Sequence, residues 1–236
     1  MPVSLPPQKH VYLISLFSFS DDTALPDFYA YCDGAMSLLG GRPGFVSAYG
    51  YISDYDLARY RYVGITEFSS MEELFALLED VSLAGRLTPP DDVRAMTLFT
   101  QCRQHTYYGM EHRETTPASV TMIKPFNISQ PERDSARFEE LTRRHLMAVQ
   151  VQPEYVGYRG FYSTNPSAMH NFISVSEWRS EEAFFAYRAS TEYKLANTGG
   201  EDLTRNSFPG IYRLMLAHNA AGEKIDYRFQ ITQRHS

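Results

Sequence analysis

The sequence predicts an α+β protein in which one βαββαβ unit occurs twice in tandem. Three observations carry that expectation. Residues 43–76 and 153–186 align without a gap at an offset of 110. The strand-like segments VYLISLFSFS (11–20) and VTMIKPFNIS (120–129) match at an offset of 109. Alternating and helical apolar patterns then follow one another in the same order in both halves.

The longer alignment contains ten identical pairs: Pro43/Pro153, Val46/Val156, Gly50/Gly160, Ser53/Ser163, Ala58/Ala168, Glu67/Glu177, Ser70/Ser180, Glu72/Glu182, Phe75/Phe185 and Ala76/Ala186. Phe68 and Trp178 are a conservative pair within it. The change of offset places a one-residue insertion in the helix after the first strand.

In the first half, residues 11–19 read as a strand. Residues 24–39 put Leu25, Phe28, Cys32, Met36 and Leu39 on one helical face, and Gly40-Gly41 ends that helix through a left-handed cap. Tyr-rich strands are expected at 44–53 and 59–68, a helix at 71–83 opened by a Ser70/Glu73 capping box, and a last strand near 95–105. The second half repeats this: a helix near 130–149 capped by Ser129 with Glu132 and carrying Pro131 in its first turn, strands at 154–163 and 169–178, a helix at 181–196, and a strand at 210–218. The segment at 224–233 reads as an extra edge strand.

This order is that of a ferredoxin-like unit, an antiparallel sheet with two helices on one face. Its other face needs cover, which the sheet of the second copy can supply. The expectation is therefore an intrachain α+β barrel, with repeats at 1–110 and 111–236 joined through 86–118.

The chain has 236 residues, a formal net charge of −6 and no basic run, which argues against nucleic acid and anionic membranes as partners. It shows no secretory leader and no long apolar span, so a cytoplasmic location is expected. Cys32 and Cys102 match no metal motif, and no metal ligand is assigned. His145, His170 and His218 could each offer a haem ligand, but nothing marks one of them. No Gly-x-Gly-x-x-Gly opens a helix, so a tightly held dinucleotide is not expected. The unusual figure is 14% aromatic residues, led by 17 Tyr. Such rings pack strands, and they also wall pockets for flat, oxygenated ligands.

The segment NFISVSEWRSEEAFFAYRAS (171–190) joins a strand ending in Glu-Trp to a Ser cap, an acidic first turn and an aromatic helix face. Together with Arg42-Pro43-Gly44-Phe45 and Gln152-Pro153-Glu154-Tyr155, it resembles the antibiotic-biosynthesis monooxygenases of the dimeric α+β barrel superfamily. The resemblance implies oxidation of aromatic polyketides by O2 in a pocket between sheet and helices. Trp178 falls on that family's Trp position, Ser174 on its Asn position, and Phe184 where some members have Tyr. The first half has Phe68, Gly64 and Leu74 there, so the Trp is kept only in the second half. The tandem arrangement resembles the oxygenases that open the B ring of angucyclines. That likeness implies no tightly bound cofactor, with reduced flavin (FADH2 or FMNH2) arriving as a diffusible co-substrate from a separate reductase.

The candidate residues follow from strand parity and this resemblance. Trp178, Ser174 and His170 share one face of a strand with Phe172, and are the catalytic candidates, His170 as a general base. The substrate-binding candidates are Phe172, Tyr49, Tyr62, Tyr158, Arg159, Phe184, Arg213 and His218. The expected activity is oxygenation of a polycyclic aromatic polyketide, with reduced flavin or the substrate hydroquinone as electron source. A cyclase or isomerase on the same scaffold and a non-catalytic aromatic-binding module are the alternatives. The expected partner is a small aromatic molecule, and a homodimer is left open.

Overall fold

The computed structural model describes residues 10–19, 25–53, 55, 58–84, 86–87, 93–108, 120–163 and 168–226. The chain divides into two compact units. Unit 1 comprises Met1–Gln104 together with Leu214–Ser236, and unit 2 comprises His105–Arg213.

In chain order, the first half contains β1 (Val11–Phe19), α1 (Leu25–Gly40), β2 (Phe45–Ile52), β3 (Tyr62–Phe68), α2 (Met71–Glu79), α3 (Val81–Ala84) and β4 (Val93–Tyr108). The second contains β5 (Val120–Ile128), α4 (Pro131–Val149), β6 (Tyr155–Ser163), β7 (Phe172–Trp178), α5 (Glu181–Ala189), α6 (Thr191–Asn197), β8 (Thr204–Arg205), β9 (Gly210–Asn219) and β10 (Lys224–Asp226). The strand order in unit 1 is β10-β9-β2-β3-β1-β4, and in unit 2 β6-β7-β5-β8, with the start of β9 also on β5.

The repeat is visible in the hydrogen-bond registers. Val11 faces Phe68 across β1 and β3, and Val120 faces Trp178 across β5 and β7. The β2–β3 pair carries a register shift between Phe45 and Ser47, and the β6–β7 pair carries one between Tyr155 and Gly157, at the same point of the repeat. A bulge re-aims the side chains around it, so its repetition keeps the strand faces equivalent.

The remaining differences from the sequence expectation have local causes. The helices expected at 71–83 and 181–196 are each interrupted, at Asp80 and Ser190, whose backbones are extended. Both residues cap the next helical turn: the Asp80 carboxylate accepts the Ser82 N–H at 3.0 Å, and the Ser190 hydroxyl accepts the Tyr193 N–H at 3.1 Å. The Ser70 cap forms as expected, accepting the Glu73 N–H at 3.3 Å. Ser129 does not cap α4. Gln130 holds that position without a side-chain bond, and the Ser129 hydroxyl donates to Asp202 O at 2.8 Å instead. Gly40 and Gly41 end α1 without positive φ; the left-handed residue is Gly44, at φ 73°. A Cβ on Gly40 would collide with the His218 ring, so close approach is what Gly40 permits.

Residues 214–226 supply the other departure. The sequence boundary at 110/111 assigns them to the second repeat, but they group with unit 1. Met215 and Leu216 are fully buried in the core of unit 1 with Val11, Leu13, Phe28 and Phe45. Of the tail strand expected at 224–233, Lys224–Asp226 is observed and pairs with β9; the rest lies outside the described residues.

Candidate active site

Unit 2 holds a cavity of about 510 Å³ between one sheet face and its helices. The size suits a small-molecule ligand. The floor is built by alternation: Met122, Lys124 and Phe126 on β5, Ser174 and Ser176 on β7, and Tyr158 on β6. The opposite wall comes from Phe138, Leu141, Thr142 and His145 of α4, at the spacing of one helix face, and from Arg188, Tyr193 and Asn197 of α5 and α6.

Two aromatic clusters bound this floor. At one end Phe172 packs against Phe126 and Phe138 with ring centroids 5.1 and 4.9 Å apart, and Tyr162 lies on its other side at 4.9 Å. At the other end Trp178 packs against Tyr155, Tyr187 and Phe184 at 5.3, 5.4 and 5.8 Å. Such pairs contribute about 0.5–1.5 kcal/mol each beyond the burial of their area. They fix the strand between them, which carries the two serines.

The segment after α6 closes one side, through Thr198, Gly200, Glu201 and Thr204. It is tied to α4 by arginines. Arg137 makes a two-armed contact with Asp202, at 2.9 and 3.0 Å, and also donates to Gly199 O; Arg144 donates to Thr198 O at 3.2 Å. Asn127 and Asn171 extend the β5–β7 ladder through their side chains, Asn171 accepting the Ile128 N–H at 2.7 Å.

The electrostatics of the cavity are positive. Lys124 and Arg188 are both lining groups, and among the described residues neither pairs with a carboxylate. The Lys124 ammonium sits 5.0 Å from the Phe126 ring centroid, and the Arg188 guanidinium 4.8 Å from that of Tyr193. Burial, then the neighbouring Arg188, pulls the Lys124 pKa below its ordinary value. Burial together with both cations brings His145 down to about 4, so its imidazole is neutral near pH 7. The Asn197 amide donates to His145 Nδ1 at 3.4 Å, which assigns the ring proton to Nε2. The Tyr158 hydroxyl is pushed well above its usual value by burial, partly countered by a hydrogen bond from Ser174.

Of the sequence candidates, Ser174 and Tyr158 line the cavity, and Phe172 closes one end. Other candidates lie elsewhere. Trp178 does not line the cavity: Phe184 and Tyr187 cover it, and its buried indole N–H has no acceptor among the described residues. Phe184 belongs to the same packing. His170 is 2% exposed at the start of β7, edge-on to Phe208 at 5.6 Å. Arg159 is on the opposite strand parity to Tyr158 and lies over Phe161 at 5.8 Å. Arg213 pairs with Glu181 at 3.3 Å. His218 is part of unit 1, where Nδ1 is 3.3 Å from Met36 O and the ring lies 5.7 Å from Phe45. Tyr49 stacks on Tyr51, and Tyr62 packs into the core of unit 1 at 5.0 Å from Phe28.

The residues missed were Lys124, His145, Arg188 and Tyr193. Lys124 had a signal: a lone cation at the same strand parity as Met122 and Phe126, on the apolar face. His145 had one too, four residues from Leu141 and four from Val149 on the inner face of α4.

Residues 125–198 match the family described as antibiotic biosynthesis monooxygenase. That monooxygenase-type segment starts within β5 and ends just past α6, and so contains most of the cavity wall. The full chain is similar in fold to an anthrone oxidase-like protein (TM-score 0.69, 15% identity, covering 92% of this chain and 96% of that one). It also resembles a candidate monooxygenase from Fusobacterium nucleatum (TM-score 0.66, 8% identity, 94% and 99% covered). A chlorite dismutase variant from Candidatus Nitrospira defluvii is a more distant neighbour (TM-score 0.53, 11% identity, 88% and 92% covered). At these identities the likeness is one of fold. No curated protein sequence matches the chain. Among the described residues, no group of three or more His, Cys, Asp or Glu could hold a metal ion, and no helix is long and apolar enough to cross a membrane.

Proposed function

We propose that the protein is an oxygenase for a polycyclic, phenolic aromatic of the polyketide type, acting in the cavity of unit 2. The observation that carries this reading is the cavity itself: about 510 Å³, with flat rings on its walls and a row of hydroxyls on its floor. Rings accept a planar skeleton, and the hydroxyls of Ser174, Ser176 and Tyr158 match ring oxygens. The monooxygenase-type match over 125–198 supports the same reading.

The protein's share of the chemistry is positioning and charge control. An electron-rich phenol or hydroquinone hands electrons to O2 more readily once deprotonated. A neutral His145 is a hydrogen-bond donor through Nε2, aimed at an oxygen that becomes negative. The aromatic rings of the lining hold a flat substrate in one orientation for reaction. Electrons come from the substrate hydroquinone or from reduced flavin delivered by a separate reductase. On this reading flavin is a diffusible co-substrate, and O2 the oxidant. Opening of an angucycline B ring is the finer form of the proposal.

The test is oxygen uptake with product analysis on anthrone, naphthohydroquinone and angucycline-type phenols, with and without reduced FAD or FMN. Uptake matched by quinone or ring-opened product is expected. Rearrangement without oxygen consumption would instead identify a cyclase or isomerase. Failure to bind any flat aromatic would leave a structural module.

A further inference from the structure

We propose that the unit 2 cavity takes its aromatic ligand as an anion, and that Lys124 and Arg188 select it. This inference rests on the aromatic-cavity reading above and adds the charge state of the ligand. Lys124 rises from the sheet floor and Arg188 comes from the helical wall, so the two cations approach one space from different elements. Each lies over a ring that also lines the cavity, Phe126 for the lysine and Tyr193 for the arginine. Among the described residues, no carboxylate neutralises either one. Lys194 adds a third positive charge to the lining, against Glu201 as the acid.

Holding Lys124 in this space costs free energy, since its ammonium loses water and is repelled by the more exposed Arg188. An anionic oxygen between them removes both costs at once. A neutral ligand leaves them in place, which makes the cavity selective as well as attractive. Unit 1 supplies an internal control. The repeat puts Ser15 where unit 2 has Lys124, and Leu78 where it has Arg188. The cations therefore belong to the open cavity and are not a requirement of the fold.

The anionic oxygen could be a carboxylate or an ionised ring hydroxyl, and the experiment separates them. The full chain is titrated with anthracene-2-carboxylate and its methyl ester, and with a dihydroxyanthraquinone and its dimethyl ether. The pH is set so that the quinone is partly ionised. Quenching of Trp178, the single tryptophan, reports binding without any need for turnover. The expected result is at least a tenfold preference for the acidic member of one pair or both. The pair that shows it names the anion. Lys124→Met and Arg188→Gln should each reduce that preference to about twofold, with unchanged melts, while Lys124→Arg retains most of it. Equal binding of acidic and neutral members, or a preference that survives both substitutions, overturns the proposal but leaves the aromatic cavity standing. Absence of binding by all four compounds overturns both.

Discussion

The two repeats make the same cavity and keep it differently. In unit 1 the corresponding space is about 50 Å³, against about 510 Å³ in unit 2. The lining positions correspond. Leu13, Ser15 and Phe17 stand where unit 2 has Met122, Lys124 and Phe126; Cys32 and Ala35 stand where it has Thr142 and His145; Gly64 and Thr66 stand where it has Ser174 and Ser176. Where unit 2 has Leu141 on the helical wall, unit 1 has the bulkier Tyr31. Its ring sits 5.9 Å from Phe28 and 6.2 Å from Phe17, and its hydroxyl donates to Leu87 O at 2.9 Å, whereas Tyr62 over Gly50 repeats Phe172 over Gly160. One repeat fills its inner face with side chains and the other leaves a cavity there. Equal registers and bulges therefore do not imply equal chemistry; a few side chains on a common frame decide it.

The largest effect should come from making unit 2 resemble unit 1. Thr142→Trp puts an indole from α4 into the cavity, and turnover should fall at least about a hundredfold, because a misplaced substrate loses its near-attack geometry. Far-ultraviolet circular dichroism and the melting midpoint should stay close to the parent's, since the new ring enters open space. If oxygen uptake persists in a folded variant, the reaction takes place elsewhere.

The converse change in unit 1 should touch stability and leave chemistry alone. Phe28 is fully buried beside Tyr62, so Phe28→Ala should cost about 3–5 kcal/mol in urea unfolding. Activity per folded molecule should be unchanged. Loss of turnover at full folding would mean that unit 1 takes part directly.

A third prediction uses the titration of His145, which has Ala35 at its counterpart. The folded value of about 4 lies below the 6.5 of a free imidazole, so between these values the unfolded chain binds the extra proton. The stability involved is complete above pH 6.5 and declines as the pH falls toward 4. The full shift would amount to at most about 3 kcal/mol. His145→Gln should flatten the dependence of unfolding free energy on pH in that window. A slope equal to the parent's would assign the acid sensitivity to other groups.

The smallest effect is expected at Trp178. The indole packs behind the cavity wall and its N–H has no acceptor among the described residues, so Trp178→Phe removes an unsatisfied donor while leaving a small void. The two terms oppose each other, each about 1–2 kcal/mol, and turnover should change less than about tenfold. A loss of a hundredfold or more would show that the N–H reaches the reacting oxygen.

These contrasts also explain what the sequence made legible. Element order and the two strand-to-helix caps at Ser70 and Ser180 follow from local patterns, and the alignment of two halves gave each pattern a second reading. Ser174 was singled out by strand parity and the resemblance, and Tyr158 by the crowding of tyrosines on its strand; both line the cavity. Trp178 and His170 share that parity but not the cavity, because parity says nothing about which stretch of a strand a helix leaves uncovered. Two aromatic clusters cover its ends, and only Ser174 and Ser176 remain open. His218 and Arg213 were misjudged because nothing local reveals where the core partners of β9 come from. Lys124 was overlooked for the opposite reason: its strand was matched for its apolar residues, and the one cation among them was the informative residue.

Strand β9 has a consequence for the order in which the protein is made. The core of unit 1 includes Met215 and Leu216, so residues 1–104 leave the ribosome without the strand that packs against β2. Unit 2 must be synthesised in between. At about 5–20 residues per second, the roughly 110 intervening residues take about 5–20 s to add. Through that interval the N-terminal half carries an unpaired β2 edge and an incomplete core, a state open to mispairing with a second nascent chain. The half with the closed cavity begins first and is finished last.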